Sequence, residues 1–121
     1  MTSKIFIGTD IVQIERIRNL LSSENDRFVS KVFTENEASY CKSKANPSVH
    51  FAGRFAAKEA IKKCILSSGT IDSLDFKDIE VLPKSNGAPI VTKINKIPYN
   101  ELQVSISHEK DYAIAMAMIL L

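Results

Sequence analysis

Two rhythms of apolar and polar positions run along the chain. Lys4–Asp10 has the composition of a short strand: Ile5, Phe6 and Ile7 are β-formers, and Gly8 allows another backbone to come close. Asp10 falls where this strand is expected to give way to a helix. Over Ile11–Leu21 the apolar residues Ile14, Ile17 and Leu21 recur at helical spacing, with Gln13, Arg16 and Asn19 facing away. Ser22–Asp26 reads as a loop, and Arg27–Phe33 as a second short helix with Phe28, Val29 and Val32 on its apolar side. Thr34-Glu-Asn-Glu37 is a capping box, which predicts a helix from there to about Lys42. Lys44–Pro47 interrupts the pattern. Ser48 is then the expected cap of a central helix reaching about Leu66.

Beyond that helix the period shortens. Phe76–Leu82 and Pro89–Lys93 are predicted strands around a Pro83–Gly87 turn with Asn86-Gly87 at its tip. Ile97–Asn100 is irregular. Leu102–His108 and Tyr112–Leu120 form a last hairpin around Glu109–Asp111. Helices early and strands late predict an α+β fold: an N-terminal strand and helices, then an antiparallel meander packed on the central helix. No repeat, low-complexity tract or linker divides the chain, so its 121 residues are expected to form one domain, 1–121.

Composition narrows the function. With 45% hydrophobic and 25% charged residues a real core is possible, though a small one to which an oligomer interface would add. A net charge of +2 is too weak for a general grip on nucleic acid. Cys41 and Cys64 have neither a CxxC nor a zinc-site spacing, which points to two reduced thiols in a cytoplasmic protein. The N-terminus lacks the run expected of a signal peptide. The longest apolar stretch, Ala113–Leu121, is far short of the roughly 20 residues that span a membrane.

Three segments carry chemistry. Asp10 is either a helix N-cap, worth about 1 kcal/mol, or a ligand for a hard cation bound to phosphates. Glu59 has Lys58, Lys62 and Lys63 around it and makes an i,i+4 pair with Lys63, ordinarily a solvated bridge worth about 0.2–0.5 kcal/mol. Phe55, Ala56, Ala60 and Ile61 nevertheless wrap the same turns in apolar surface, and the alanines leave room for something bulky to approach. A half-buried carboxylate beside ammonium groups suits a magnesium–pyrophosphate site, because Mg²⁺ takes one or two protein carboxylates together with substrate phosphates. In Ser105-Ile-Ser-His108 the hydroxyls and methyls alternate, and the hydroxyl face, ending in His108, could receive a phosphate.

Together these segments resemble holo-[acyl-carrier-protein] synthase, the small bacterial type of 4′-phosphopantetheinyl transferase. The resemblance is carried by Gly8-Thr-Asp-Ile-Val12 with Arg16, Phe51-Ala-Gly-Arg-Phe-Ala-Ala-Lys-Glu-Ala60 with Lys63, Asn86-Gly-Ala-Pro89, and Val104-Ser-Ile-Ser-His108 followed by Tyr112-Ala113. It implies transfer of phosphopantetheine from coenzyme A to a serine of apo acyl carrier protein, dependent on Mg²⁺, and a homotrimer with active sites between subunits. It implies Asp10 and Glu59 as metal ligands and Lys63 beside the pyrophosphate, these three being the catalytic set. Contacts to coenzyme A are implied for Arg54, Phe55, Lys62, Asn86, Gly87, Pro89, Ser107 and His108, and Arg16 and Arg18 are expected to meet the acidic carrier. The chain departs from the family pattern after Lys63, where Cys64–Thr70 replaces a Gly-x-Gly turn. It departs again before the central helix, where Lys42 and Lys44 are the nearest candidates for a usual basic pair, and at 94–103, too short for a helix seen in longer relatives. The same acid, acid and lysine set would also serve another phosphoryl-transfer or nucleotide-binding enzyme. A non-catalytic trimeric module is a further alternative.

Overall fold

The computed structural model describes residues 3–95 and 97–121; Met1 and Thr2, in the segment read for a signal peptide, and Lys96, in the 94–103 stretch, lie outside them. In chain order the elements are β1 (Ile5–Gln13), α1 (Ile14–Val32), α2 (Glu35–Lys42), α3 (Pro47–Ser67), β2 (Ile79–Pro83), β3 (Pro89–Ile94), β4 (Glu101–His108) and β5 (Tyr112–Leu120). The expected α+β class holds, but the strands do not form one meander. β5 lies between β1 and β4 in a three-stranded sheet, while β2 and β3 form a separate ribbon.

The N-terminal strand therefore closes on the C-terminal hairpin, and this changes the place of Asp10. β1 pairs antiparallel with β5 along its whole length, from Ile5 opposite Leu120 to Gln13 opposite Tyr112. Ile11 and Val12 suit the end of a strand as well as the start of a helix, and the ladder decides for the strand. Asp10 stands in mid-strand opposite Ala115. It is not the helix N-cap: α1 opens behind Gln13, without a side-chain cap.

Other boundaries shift for local reasons. The predicted loop at Ser22–Asp26 is a bend within α1, with non-helical backbone at Glu24. Ser22 and Ser23 both donate to the Asn19 carbonyl, the kind of competition that bends a helix. α3 starts at Pro47 behind Asn46, so Ser48 lies inside its first turn; proline at the first helical position is preset for that role. Phe76–Asp78 is a short 3₁₀ turn, and the strand begins only at Ile79.

α3 is the spine of the molecule. On the sheet face toward it stand Gly8 of β1 and the buried Ala113, Ala115 and Ala117 of β5. A Cβ at position 8 would lie 2.1 Å from the Ala60 carbonyl oxygen and 2.7 Å from Cys64 N, so only glycine permits this crossing. Ala56, Ala57 and Ala60 are fully buried. The low surface that seemed to await a ligand is part of the packed core. Ile14, Ile17, Val32, Phe33 and Phe51 belong to the same core, with Phe33 and Phe51 edge to face at 4.9 Å.

Among the described residues no helix is long and apolar enough to cross a membrane. Cys41 and Cys64 are free and buried, and burial pushes the Cys41 thiol up to about 12.

Candidate active site

Alternation along β1 turns Phe6, Gly8, Asp10 and Val12 toward α3, so the tight crossing at Gly8 brings Asp10 up to the helix. Lys63 Nζ donates to Asp10 Oδ1 at 3.0 Å and to the Thr9 carbonyl at 3.0 Å. The lysine side chain is 54% exposed and the aspartate 14%. Glu59 lies one turn before Lys63 on the same helix face and is half-buried. The expected Glu59–Lys63 bridge does not form, because β1 offers the lysine a carboxylate and a carbonyl together. Glu59 has no hydrogen bond or ion pair among the described residues.

A half-buried carboxylate without a partner is a costly group that a cation would compensate. Asp10 and Glu59 supply hard oxygen donors, and no cluster of three or more His, Cys, Asp or Glu suited to a metal occurs among the described residues. That donor set fits Mg²⁺ as a cation that completes its shell with water and substrate phosphates.

The three lysines around Glu59 part company. Lys58 is fully buried and points away from the site: its Nζ donates to the Val32 carbonyl at 2.7 Å and to Glu37 Oε1 at 2.6 Å. Burial lowers the pKa of Lys58, and Glu37 opposes that shift. Lys62 lies with Nζ 4.1 Å from the Phe76 ring centroid, and Phe76 stacks on Phe55 at 5.8 Å. Arg16 places its guanidinium 6.0 Å from the Phe55 ring on the opposite flank. An aromatic strip with a cation on either side thus runs beside the Glu59 turn. Arg18 is exposed on α1 and paired with Glu15.

Thr9, Ser105 and Ser107 share a shallow concavity with Asp10 and Lys63. His108 does not continue the serine face as predicted. It pairs with Ala113, an inward position of β5, and its charge is felt by His50 of α3. Asn86 and Gly87 form an exposed turn closed on itself, where Ala88 N donates to Asn86 Oδ1 at 3.0 Å. No hydrogen bond or ion pair joins Asn86, Gly87 or Pro89 to the Asp10–Lys63 group among the described residues.

A second cationic group gathers Arg54 and Lys44, which the sequence offered separately, around Tyr40, which it did not single out. Arg54, 6% exposed, lays its guanidinium 4.5 Å from the Tyr40 ring centroid, and Lys44 Nζ lies 4.9 Å from the same ring. Arg54 Nε and Nη2 are buried without a hydrogen-bond partner among the described residues. Burial first, then Arg54, Lys44 and His108, hold the pKa of His50 below its ordinary value. Such a convergence of positive groups suits a phosphate. The spacing of Tyr40 and Lys44, four residues apart, was the available clue.

The α+β fold thus carries at the β1–α3 crossing an inward aspartate, a bridging lysine and a glutamate without a partner among the described residues, and, on α2 and α3, a separate cationic group. The profile described as the 4′-phosphopantetheinyl transferase superfamily matches residues 6–117, and the chain belongs to that family. It is 42% identical over 119 residues to a holo-[acyl-carrier-protein] synthase of Chlamydia pneumoniae, covering 96% of this chain and 97% of the relative. A holo-[acyl-carrier-protein] synthase of Thermodesulfovibrio yellowstonii is 45% identical over 115 residues, covering 93% and 96%. The fold superimposes with a TM-score of 0.81 and 33% identity on a holo-(acyl-carrier-protein) synthase of Bacillus anthracis in complex with CoA (3′,5′-ADP), covering 98% of each chain. The resemblance read from the motifs therefore holds over nearly the whole length.

Proposed function

We infer that the chain is an enzyme that moves 4′-phosphopantetheine from coenzyme A to a serine of apo acyl carrier protein and releases adenosine 3′,5′-bisphosphate, a step that serves fatty acid biosynthesis. The observation that carries this is the Asp10–Lys63–Glu59 group at the β1–α3 crossing, in a chain so closely related to holo-[acyl-carrier-protein] synthases. The serine oxygen forms a bond to the phosphorus next to pantetheine; the bond from that phosphorus to the nucleotide phosphate breaks, and its electron pair leaves with the nucleotide. Such transfers depend mainly on alignment and charge stabilisation. Mg²⁺ held by Asp10 and Glu59 would supply positive charge to the pyrophosphate. Lys63, steadied by Asp10 and the Thr9 carbonyl, keeps an exposed ammonium beside it. The serine proton would pass to Glu59, directly or through a water.

Arg54 and His108 belong to the cluster suited to the donor's 3′-phosphate, with Lys44 standing in for the missing basic pair. Phe55, Lys62 and Ser107 would contact the rest of the donor. Arg16 and Arg18, exposed on α1, suit the acidic carrier. Assembly as a homotrimer is supported by the outer sheet face, where Ile5 and Ile7 are each 64% exposed and Ile11 63%, with Met116 and Ile114 beside them. Monomers rarely leave so continuous an apolar face open. Reduced, buried cysteines suit the cytoplasm.

Intact mass spectrometry of apo acyl carrier protein incubated with this protein, coenzyme A and Mg²⁺ tests the reading. A gain of one phosphopantetheine group, abolished by EDTA and by Glu59→Gln, is expected. Glu59→Gln should also weaken Mn²⁺ binding measured without substrates. No gain with any of several carriers, from folded protein, would overturn the proposal.

A further inference from the structure

Tyr40 lies in α2, half-buried and outside every motif that carries the resemblance. Its ring nevertheless organises the second cationic group. Arg54 reaches it from α3 at 4.5 Å, Lys44 from the α2–α3 connection at 4.9 Å, and His50 meets it edge-on at 5.7 Å. A buried guanidinium ordinarily finds carboxylate or carbonyl acceptors. Arg54 has none on Nε or Nη2 among the described residues, so the aromatic face is the contact that holds it. A cation over a ring is attracted by the ring's quadrupole, and more strongly when shielded from water, as Arg54 is. Lys44 is exposed and would otherwise roam through its four-carbon stem. The ring therefore draws together two positive charges that would repel each other if nothing negative joined them.

We propose that Tyr40 is a positioning residue whose ring holds Arg54 and Lys44 ready for the 3′-phosphate monoester of the donor, and so sets the preference for coenzyme A over dephospho-coenzyme A. The proposal rests on the reading of the donor given above. Tyr40 touches neither the reacting phosphorus nor the serine, so its influence falls on KM for coenzyme A far more than on kcat.

The test compares kcat/KM for coenzyme A and dephospho-coenzyme A in the wild type, Tyr40→Phe, Tyr40→Leu, and a series with increasingly fluorinated phenylalanine at position 40. Tyr40→Phe, which keeps the aromatic face, should retain the wild-type preference. Tyr40→Leu should lower it about tenfold, or about 1.4 kcal/mol, mainly through KM for coenzyme A. Its turnover of dephospho-coenzyme A should fall far less. The fluorinated rings keep size and packing while draining the ring's negative face, so they decide the matter even if Tyr40→Leu does not fold; the preference should decline stepwise along the series. A preference that stays constant along it would overturn the role of Tyr40. A wild type that uses both donors equally would overturn the phosphate cluster itself and Tyr40 with it. A wild type that transfers from neither would overturn the proposed function instead.

Discussion

Two lysines of α3, little more than a turn apart, each bond a carboxylate, and they show how one chemistry serves opposite ends. Lys58 and Glu37 meet at 2.6 Å with both side chains fully buried; Lys63 and Asp10 meet at 3.0 Å at the surface. The inner pair spends every contact on structure. Glu37 accepts from Lys58, from Thr34 N at 2.9 Å and from Val81 N at 2.8 Å, while Lys58 also takes the Val32 carbonyl near the end of α1. Four segments are tied at one point, and no charge remains to offer a ligand. The outer pair leaves its ammonium open to solvent and the neighbouring Glu59 without a partner among the described residues. Saturation of contacts separates a structural ion pair from a usable one more sharply than residue type does.

The largest effect should come from breaking the inner pair. Lys58→Met leaves Glu37 charged and buried without its counter-ion, a loss of about 3–5 kcal/mol in urea unfolding. Adding Glu37→Gln, which keeps a capping-box side chain, should recover most of it. If Lys58→Met cost less than about 1 kcal/mol, the contrast would fail, since surface pairs cost no more. The outer pair should respond in activity instead. Lys63→Met is expected to change stability by less than about 1 kcal/mol and to lower kcat about 10²–10³-fold, the usual loss for one preorganised charge-stabilising donor. Wild-type turnover by that variant would remove Lys63 from the chemistry. The smallest effect concerns a cation farther from the reacting atoms. Arg16→Ala should raise KM for the carrier a few-fold, leave KM for coenzyme A unchanged, and lose this effect in high salt. Unchanged carrier kinetics at low salt would show that α1 does not steer the partner.

How much of this was legible in the sequence depends on the range of the interactions. The Thr34–Glu37 box was readable because it closes within one turn, and both of its hydrogen bonds are present. The C-terminal hairpin was readable because Glu109 Oε1 takes Asp111 N at 2.8 Å and Tyr112 N at 2.9 Å, again within a few residues. The other bonds of Glu37 come from residues 21 and 44 positions away, and nothing local announces them. For the same reason Lys58 was grouped with Lys62 and Lys63, although it points into the core. The serine face of β4 was legible from its alternation, and the same period of two puts His108 with Val104 and Ile106, so the sequence could have placed it on the inner face. Tyr40 went unnoticed because its partners gather only when α2 folds against α3.

The sequence by itself determined the helices and strands to within a few residues, the turn chemistry that joins them, and the motifs that place the chain in its family. Each is written in propensities and hydrogen bonds that span a few residues. Only the tertiary structure decided that Asp10 stands in a strand and not at a helix cap, that the alanines of α3 meet a sheet, and which lysine of α3 bonds Asp10 at the surface. Those outcomes follow from the pairing of the first strand with the last and from burial against α3, interactions between residues too distant in sequence for any local pattern to record.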